Sequence, residues 1–124
     1  MTLKELYEAI DGDYDRAVAV LRIEKLIDKH IRRLPGNSIF PELFEAAKTM
    51  DPTKLFESAH AVKGVCGNLG LLKLYEVVSE LSEEFRPGNP RRMTDDQVRE
   101  KIADAEGLYE KAVAGIKQYE NAGM

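Results

Sequence analysis

Apolar residues recur along this chain at intervals of three and four, the period of a helix face, and no stretch sustains the alternation of a half-buried strand. Leu3, Leu6, Tyr7 and Ile10 predict a short amphipathic helix, opened by a Thr2–Glu5 capping box and broken by Asp11-Gly12-Asp13. A second helical stretch begins near Asp13 and carries Val18, Leu21, Ile23, Leu26, Ile27 and Ile31 to Leu34. The run Leu34-Pro35-Gly36-Asn37 is a strong turn signal that stops it. Pro41 fits the first turn of a helix bearing Leu43, Phe44, Ala47 and Met50. Asp51 and Pro52 then supply the N-cap and first residue of a helix that should reach about Leu69, with Gly70 near its end.

Within that helix Leu55, Ala59, Val62, Cys66 and Leu69 follow the four–three seam of a helix packed among others. The stretch 71–85 repeats the pattern with Leu74, Val78, Leu81 and Phe85, and Arg86-Pro87-Gly88-Asn89-Pro90 terminates it. Thr94 and Gln97 form another capping box ahead of a long helix with Val98, Ile102, Ala105, Tyr109, Ala112, Ile116 and Tyr119 inward. The expected fold class is therefore all-α. Short connections favour antiparallel neighbours, hence an antiparallel up-down four-helix bundle with additional short N-terminal helices. Its core helices fall at about 37–50 (joined by the preceding stretch), 52–69, 71–85 and 94–120, and the N-terminal helices cap one end or pack on the side.

The chemistry-bearing residues gather on the second of those core helices, in Ala59-His60-Ala61-Val62-Lys63-Gly64-Val65-Cys66-Gly67-Asn68. At about 100° per residue, Lys63 lies about 60° to one side of His60, Gly64 about 40° to the other, and Gly67 about 20° away. The apolar seam points well over 90° from His60, so the imidazole, the cation and both glycines share the wet side. Each glycine inside a helix costs roughly 1 kcal/mol against alanine. Two of them beside a histidine leave room for a group or a partner's close approach, or else permit tight helix packing. Phe56 falls between the faces, as a rim core residue or an apolar contact for a docking protein. Glu57, about 60° from His60 on the side away from Lys63, either orients the imidazole or is simply solvated.

These residues carry a resemblance. Ala-His-x-x-Lys-Gly at 59–64, followed by Asn68-Leu69-Gly70 and a Leu-rich helix, resembles a histidine phosphotransfer (HPt) domain of two-component phosphorelays. The resemblance implies that His60 accepts a phosphoryl group from an aspartyl phosphate on a receiver domain and passes it on. It implies Lys63 as the nearby cation, Gly64 as space for the phosphoryl group, and Gly70 as the glycine that closes the helix. Position 67, often serine or alanine in that family, is glycine here. Outside 51–85 the likeness is one of helix order and length.

Composition narrows the field further. The 124 residues, 44% hydrophobic and 32% charged, are read as one soluble domain over 1–124 with a core of its own. A net charge of −4 with interspersed signs leaves no broad basic surface for nucleic acid. The pairs Arg32-Arg33 and Arg91-Arg92 read as solvated, and His30, on the border of its stripe, reads as structural. The lone cysteine, Cys66, lies on the apolar seam and reads as a buried inert thiol. The N-terminus lacks signal-peptide order, and no apolar stretch approaches the roughly 20 residues that cross a bilayer. A cytoplasmic, free-standing monomer is expected.

A neutral imidazole is a competent nucleophile near pH 7. Phosphoryl transfer asks mainly for positioning and charge stabilisation, which Lys63 can supply through a charge-assisted hydrogen bond. No phosphate-binding loop, kinase signature, magnesium carboxylate cluster or zinc spacing is present in the sequence, so no ATP use, cofactor or metal is expected. The expected partner is a receiver domain of a response regulator or hybrid histidine kinase, supplying Mg²⁺ and the activated phosphoryl group. It would dock over Phe56, Glu57, Gly64 and Gly67. Two other functions stay open: a non-catalytic bundle that binds a receiver without carrying phosphate, and a phosphoacceptor fed directly by a kinase's ATP site. The second is the arrangement of chemotaxis-type kinases, from which 71–85 departs by lacking an extra histidine. An acid–base or metal-dependent enzyme is disfavoured because no second catalytic residue converges on His60.

Overall fold

In the computed structural model, which describes residues 1–122, the chain forms α1 (Leu3–Ala9), α2 (Tyr14–Leu21), α3 (Glu24–Arg33), α4 (Ile39–Thr49), α5 (Pro52–Leu69), α6 (Leu72–Phe85) and α7 (Asp95–Ala122). A single 3₁₀ turn, Leu34–Gly36, links α3 to α4, and there is no strand among the described residues. The all-helical expectation holds. Both capping boxes form: the Glu5 amide donates to Thr2 Oγ1 at 3.1 Å and the Thr2 amide to Glu5 Oε1 at 2.9 Å. The Thr94–Gln97 pair repeats this at 2.8 and 3.1 Å.

Helix α5 packs against α4 and α6, α6 meets α7, and α4 meets α7. Helices α2 and α3 lie against α5, and α1 lies against α7. One apolar cluster runs through all of them, from Leu3 to Ile116. The predicted seams are its substance: Leu55, Ala59, Val62, Cys66 and Leu69 of α5 are buried, as are Leu74, Val78, Leu81 and Phe85 of α6. Phe40 stacks on Tyr109 with centroids 4.5 Å apart, joining α4 to α7.

The stretch from Asp13 to Leu34 is not one helix. It breaks at Arg22, whose φ of +71° and ψ of −42° place it outside the helical region, and the Ile23 amide donates to the Leu21 carbonyl at 2.8 Å. That is a γ-turn with positive φ at its centre, an uncommon and strained form. The cause lies in the phase of the apolar residues. On one straight helix, Ala17 with Leu21 would point roughly 80° away from Ile27 with Ile31, and the break lets α3 meet α7 as well as α5. Breaking the helix re-aims the second set. Ile23 and Leu26, read from the sequence as part of the inward stripe, are left 54% and 37% exposed.

One arginine of each pair, exposed as the solvated reading has it, also makes specific contacts. Arg32 Nε lies 3.0 Å from Asp28 and its guanidinium carbon 4.9 Å from the Tyr119 ring centre, tying α3 to α7. Arg91 Nε donates at 2.9 Å to Oε2 of Glu84, a buried carboxylate that also accepts the Arg92 and Met93 amides at 2.9 Å each. Glu84 thereby holds the loop between α6 and α7 against the helices.

Candidate functional site

The ends of α5 fix where its middle sits. Asp51 caps the start, its carboxylate accepting the Thr53 and Lys54 amides at 3.0 and 3.2 Å, with Pro52 in the first turn. At the other end Gly70 adopts φ +69°, and the Leu71 amide reaches back to the Cys66 carbonyl at 2.9 Å, closing a Schellman motif. Gly70 is needed twice over, because a Cβ there would also collide with the Asp13 carbonyl oxygen. The Asp13 amide donates to the Gly70 carbonyl at 2.7 Å, and the buried Tyr7 hydroxyl donates to the Leu69 carbonyl at 2.7 Å. Helix α5 is pinned at both termini.

His60 stands on the exposed side of this pinned helix, opposite the buried seam. Its ring stacks on Phe56, with centroids 5.6 Å apart and planes 23° from parallel. Phe56 is half-buried and packs against the core, which fits the rim-core reading, and its outer face supports the imidazole. Gly64 is open, with nothing within 4 Å of where a Cβ would stand. Glu57 is exposed and makes no hydrogen bond to His60 among the described residues, which favours the solvated reading. It lines a groove of about 560 Å³ between α4 and α5, together with Glu42, Glu45 and Lys54.

Gly67 fits the second of the two readings given to the glycines, tight helix packing. The space its missing side chain leaves is filled by Tyr75 of α6, whose ring carbons lie 3.2 and 3.4 Å from the Cβ position. Gly67 therefore does not keep the surface beside the imidazole empty; it makes room for a ring. Lys63 is half-buried, not freely solvated, and its Nζ sits over that same ring, 5.9 Å from the centroid. No carboxylate pairs with Lys63 among the described residues.

Sequence reasoning missed two neighbours. Nothing in the pattern of 71–85 singles out Tyr75, yet 67 and 75 lie equally far from Leu71 in the α5–α6 hairpin, a symmetry that brings them together. The run Arg86-Pro87-Gly88-Asn89-Pro90 marks Arg86 only as a helix end. Its guanidinium carbon lies 5.6 Å from the Phe56 ring centre, and its Nη2 and Nε reach Glu83 Oε1 at 2.7 and 3.0 Å. Arg86 holds the Glu83 carboxyl below the usual carboxylate range, with smaller contributions from Lys63 and Asn89.

The remaining candidates lie elsewhere. Cys66 is buried, and burial pushes its thiol up to about 12, which leaves it protonated and unreactive at neutral pH. His30 is exposed in the last turn of α3 beside Arg32 and Arg33, where cations complement the helix dipole. Among the described residues no three His, Cys, Asp or Glu side chains group as metal ligands, and no helix is long and apolar enough to cross a membrane.

Fold and site together define an all-helical protein that presents one supported imidazole beside a cation on an otherwise packed helix. The chain belongs to the Hpt domain family, whose family model matches residues 3–112. No curated protein and no solved structure matches it. Membership ties the chain to phosphotransfer in two-component signalling, in a family of phosphocarrier modules that interact with receiver domains and do not themselves use ATP.

Proposed function

We propose that His60 is the phosphoacceptor, relaying a phosphoryl group between aspartates of receiver domains. The observation that carries this reading is the exposed imidazole stacked on Phe56, with Lys63 on its α6 side and open space at Gly64 on the other. In the forward step an unprotonated ring nitrogen attacks phosphorus in line. The N–P bond forms as the P–O bond to the partner's aspartate breaks, and the carboxylate leaves with the electron pair. Lys63 donates to an equatorial phosphoryl oxygen, and the Mg²⁺ that the partner's acidic pocket supplies carries most of the remaining charge. Return transfer is the same step reversed onto another aspartate.

Docking falls to Phe56, Glu57, Gly64 and the Gly67 region. The partner is a receiver domain of a response regulator or hybrid histidine kinase. The chain works as one domain over 1–124, a cytoplasmic monomer with no ATP site, nucleic acid or membrane of its own. Helices α4 to α7 are taken as the antiparallel up-down four-helix bundle, with α1 to α3 as the additional N-terminal elements. Lys63 and an uncrowded His60 favour carriage of phosphate over a purely adhesive bundle.

The test is incubation with a panel of phosphorylated receiver domains, following acid-labile, alkali-stable label on this chain. Wild type should label and His60→Gln should not, while circular dichroism shows both equally helical. Equal labelling of His60→Gln, or no label from any receiver, would overturn the assignment.

A further inference from the structure

A lysine that must meet an incoming phosphoryl group faces two costs. Its four-carbon stem has many rotamers to lose, and any carboxylate holding it in place would have to be displaced. Lys63 avoids the second, since no carboxylate lies within ion-pair distance of it among the described residues and Glu83, near enough to feel its charge, is engaged by Arg86, while its Nζ rests over the face of Tyr75 at 5.9 Å. That distance is within the roughly 6 Å at which a ring quadrupole attracts a cation. An aromatic face orients an ammonium without neutralising it, so all three N–H donors and the full charge stay available to a phosphate.

The ring is itself held in place. Tyr75 is half-buried on α6, packs against the core, and has its edge seated in the space that Gly67 leaves, 3.2 Å from the Cβ position. Gly67 follows Lys63 by about one turn of α5. The glycine, the ring and the ammonium thus stack in order along the boundary between α5 and α6.

We propose that Tyr75 is a positioning residue that, seated on Gly67, holds the Lys63 ammonium beside His60 for the phosphoryl group. This rests on the assignment of His60 as phosphoacceptor. Gly67 acts through the ring, and Gly64 alone provides clearance.

The experiment compares Tyr75→Leu, Tyr75→Phe and Tyr75→Leu with Lys63→Met, alongside Lys63→Met itself. Two readouts are taken on folded samples: NMR of the Lys63 ε-methylene, and the rate of His60 phosphorylation by a phosphorylated receiver and by phosphoramidate, a donor needing no partner protein. In wild type the ring current should move the Lys63 ε-methylene protons upfield of the other lysines. Tyr75→Leu should abolish that shift and slow phosphorylation about two- to fivefold, the range of an exposed cation–π contact. Tyr75→Phe, which keeps the face, should retain both. In the Lys63→Met background Tyr75→Leu should change the rate no further, because the interaction it removes is already gone.

An equal slowing by Tyr75→Leu with and without Lys63 would show a merely structural ring and overturn the proposal. So would an unshifted Lys63 ε-methylene in wild type. If no receiver labels the protein, the relay reading falls, while the phosphoramidate rates still decide whether Tyr75 acts through Lys63 on His60.

Discussion

Replacing Gly64 should move stability and transfer in opposite directions. A Cβ at that position meets no heavy atom within 4 Å, and the residue is exposed in the interior of an 18-residue helix. Nothing in the fold therefore opposes a larger side chain, and removing a helix-interior glycine should stabilise the protein by about 1 kcal/mol. At the size of this domain that corresponds to a rise in Tm of roughly 3–5 °C. Gly64→Ala should show the gain with a modest effect on transfer. Gly64→Leu should keep most of the gain, yet its side chain, about 40° around the helix from His60, stands where a receiver must approach. Transfer from a phosphorylated receiver should fall by about a hundredfold, comparable to other misplacements of reacting atoms by about 1 Å. Gly67 provides the contrast, since a side chain there meets Tyr75 at 3.2 Å and Gly67→Leu should lower Tm. Thermal melts by circular dichroism and single-turnover transfer assays read both effects. A Gly64→Leu protein that melts higher and still transfers at the wild-type rate would refute the clearance argument.

Other perturbations test the scaffold and the cation. Lys63→Ala should slow transfer about tenfold without abolishing it, as expected for loss of one charge-assisted hydrogen bond worth about 1.4 kcal/mol; an unchanged rate would remove Lys63 from the mechanism. Glu84→Ala leaves the Arg92 and Met93 amides and Arg91 without their shared acceptor, and should cost about 2 kcal/mol, a fall in Tm of roughly 6–10 °C. Burial pushes the Glu84 carboxyl up, but the Met93 and Arg92 amides and Arg91 outweigh it and hold the group below its ordinary value. A folded-state value below the unfolded one means that its stabilisation is complete above about pH 4.3 and is lost as pH falls through the depressed value. Glu84→Gln should accordingly show a shallower loss of Tm in acid than wild type. Arg22→Gly should raise stability by about 1 kcal/mol, strain relief of a positive-φ residue exceeding the added chain entropy; a lower Tm would mean the turn is unstrained.

The legible part of this protein is the part written in periodicity. Every seam residue named for α5 and α6 is buried, and the capping boxes at Thr2 and Thr94 form as spaced. His60 could be placed on the wet side because one helix and its seam define an opposite face. What periodicity could not show is phase between helices. The break at Arg22 carries no Gly or Pro; it exists because two apolar sets point in different directions, which matters only once α5 and α7 are there to receive them. Tyr75 entering the Gly67 gap is likewise a contact between helices, invisible to a wheel drawn for either alone. The same holds for Arg86, whose sequence context of Pro-Gly-Asn-Pro speaks only of a helix end, while its partners Phe56 and Glu83 come from packing and from the preceding turn.

Rigidity of α5 and reactivity at its middle should be separable. The Tyr7 hydroxyl serves the Leu69 carbonyl at the far end of the helix, buried and 2.7 Å away. Leu69 lies about 14 Å along the axis from His60 at about 1.5 Å per residue. Tyr7→Phe keeps the packed ring and orphans the carbonyl, which should cost about 1–2 kcal/mol and lower Tm by roughly 3–10 °C. Yet the Schellman motif, the Asp13–Gly70 contact and the Asp51 cap remain, so the backbone carrying His60, Lys63 and Gly64 should not shift. At a temperature where both proteins are folded, transfer by Tyr7→Phe should match wild type. If transfer slows in step with the loss of stability, the patch is set by how tightly α5 is anchored, and local geometry around His60 is not a sufficient account of its chemistry.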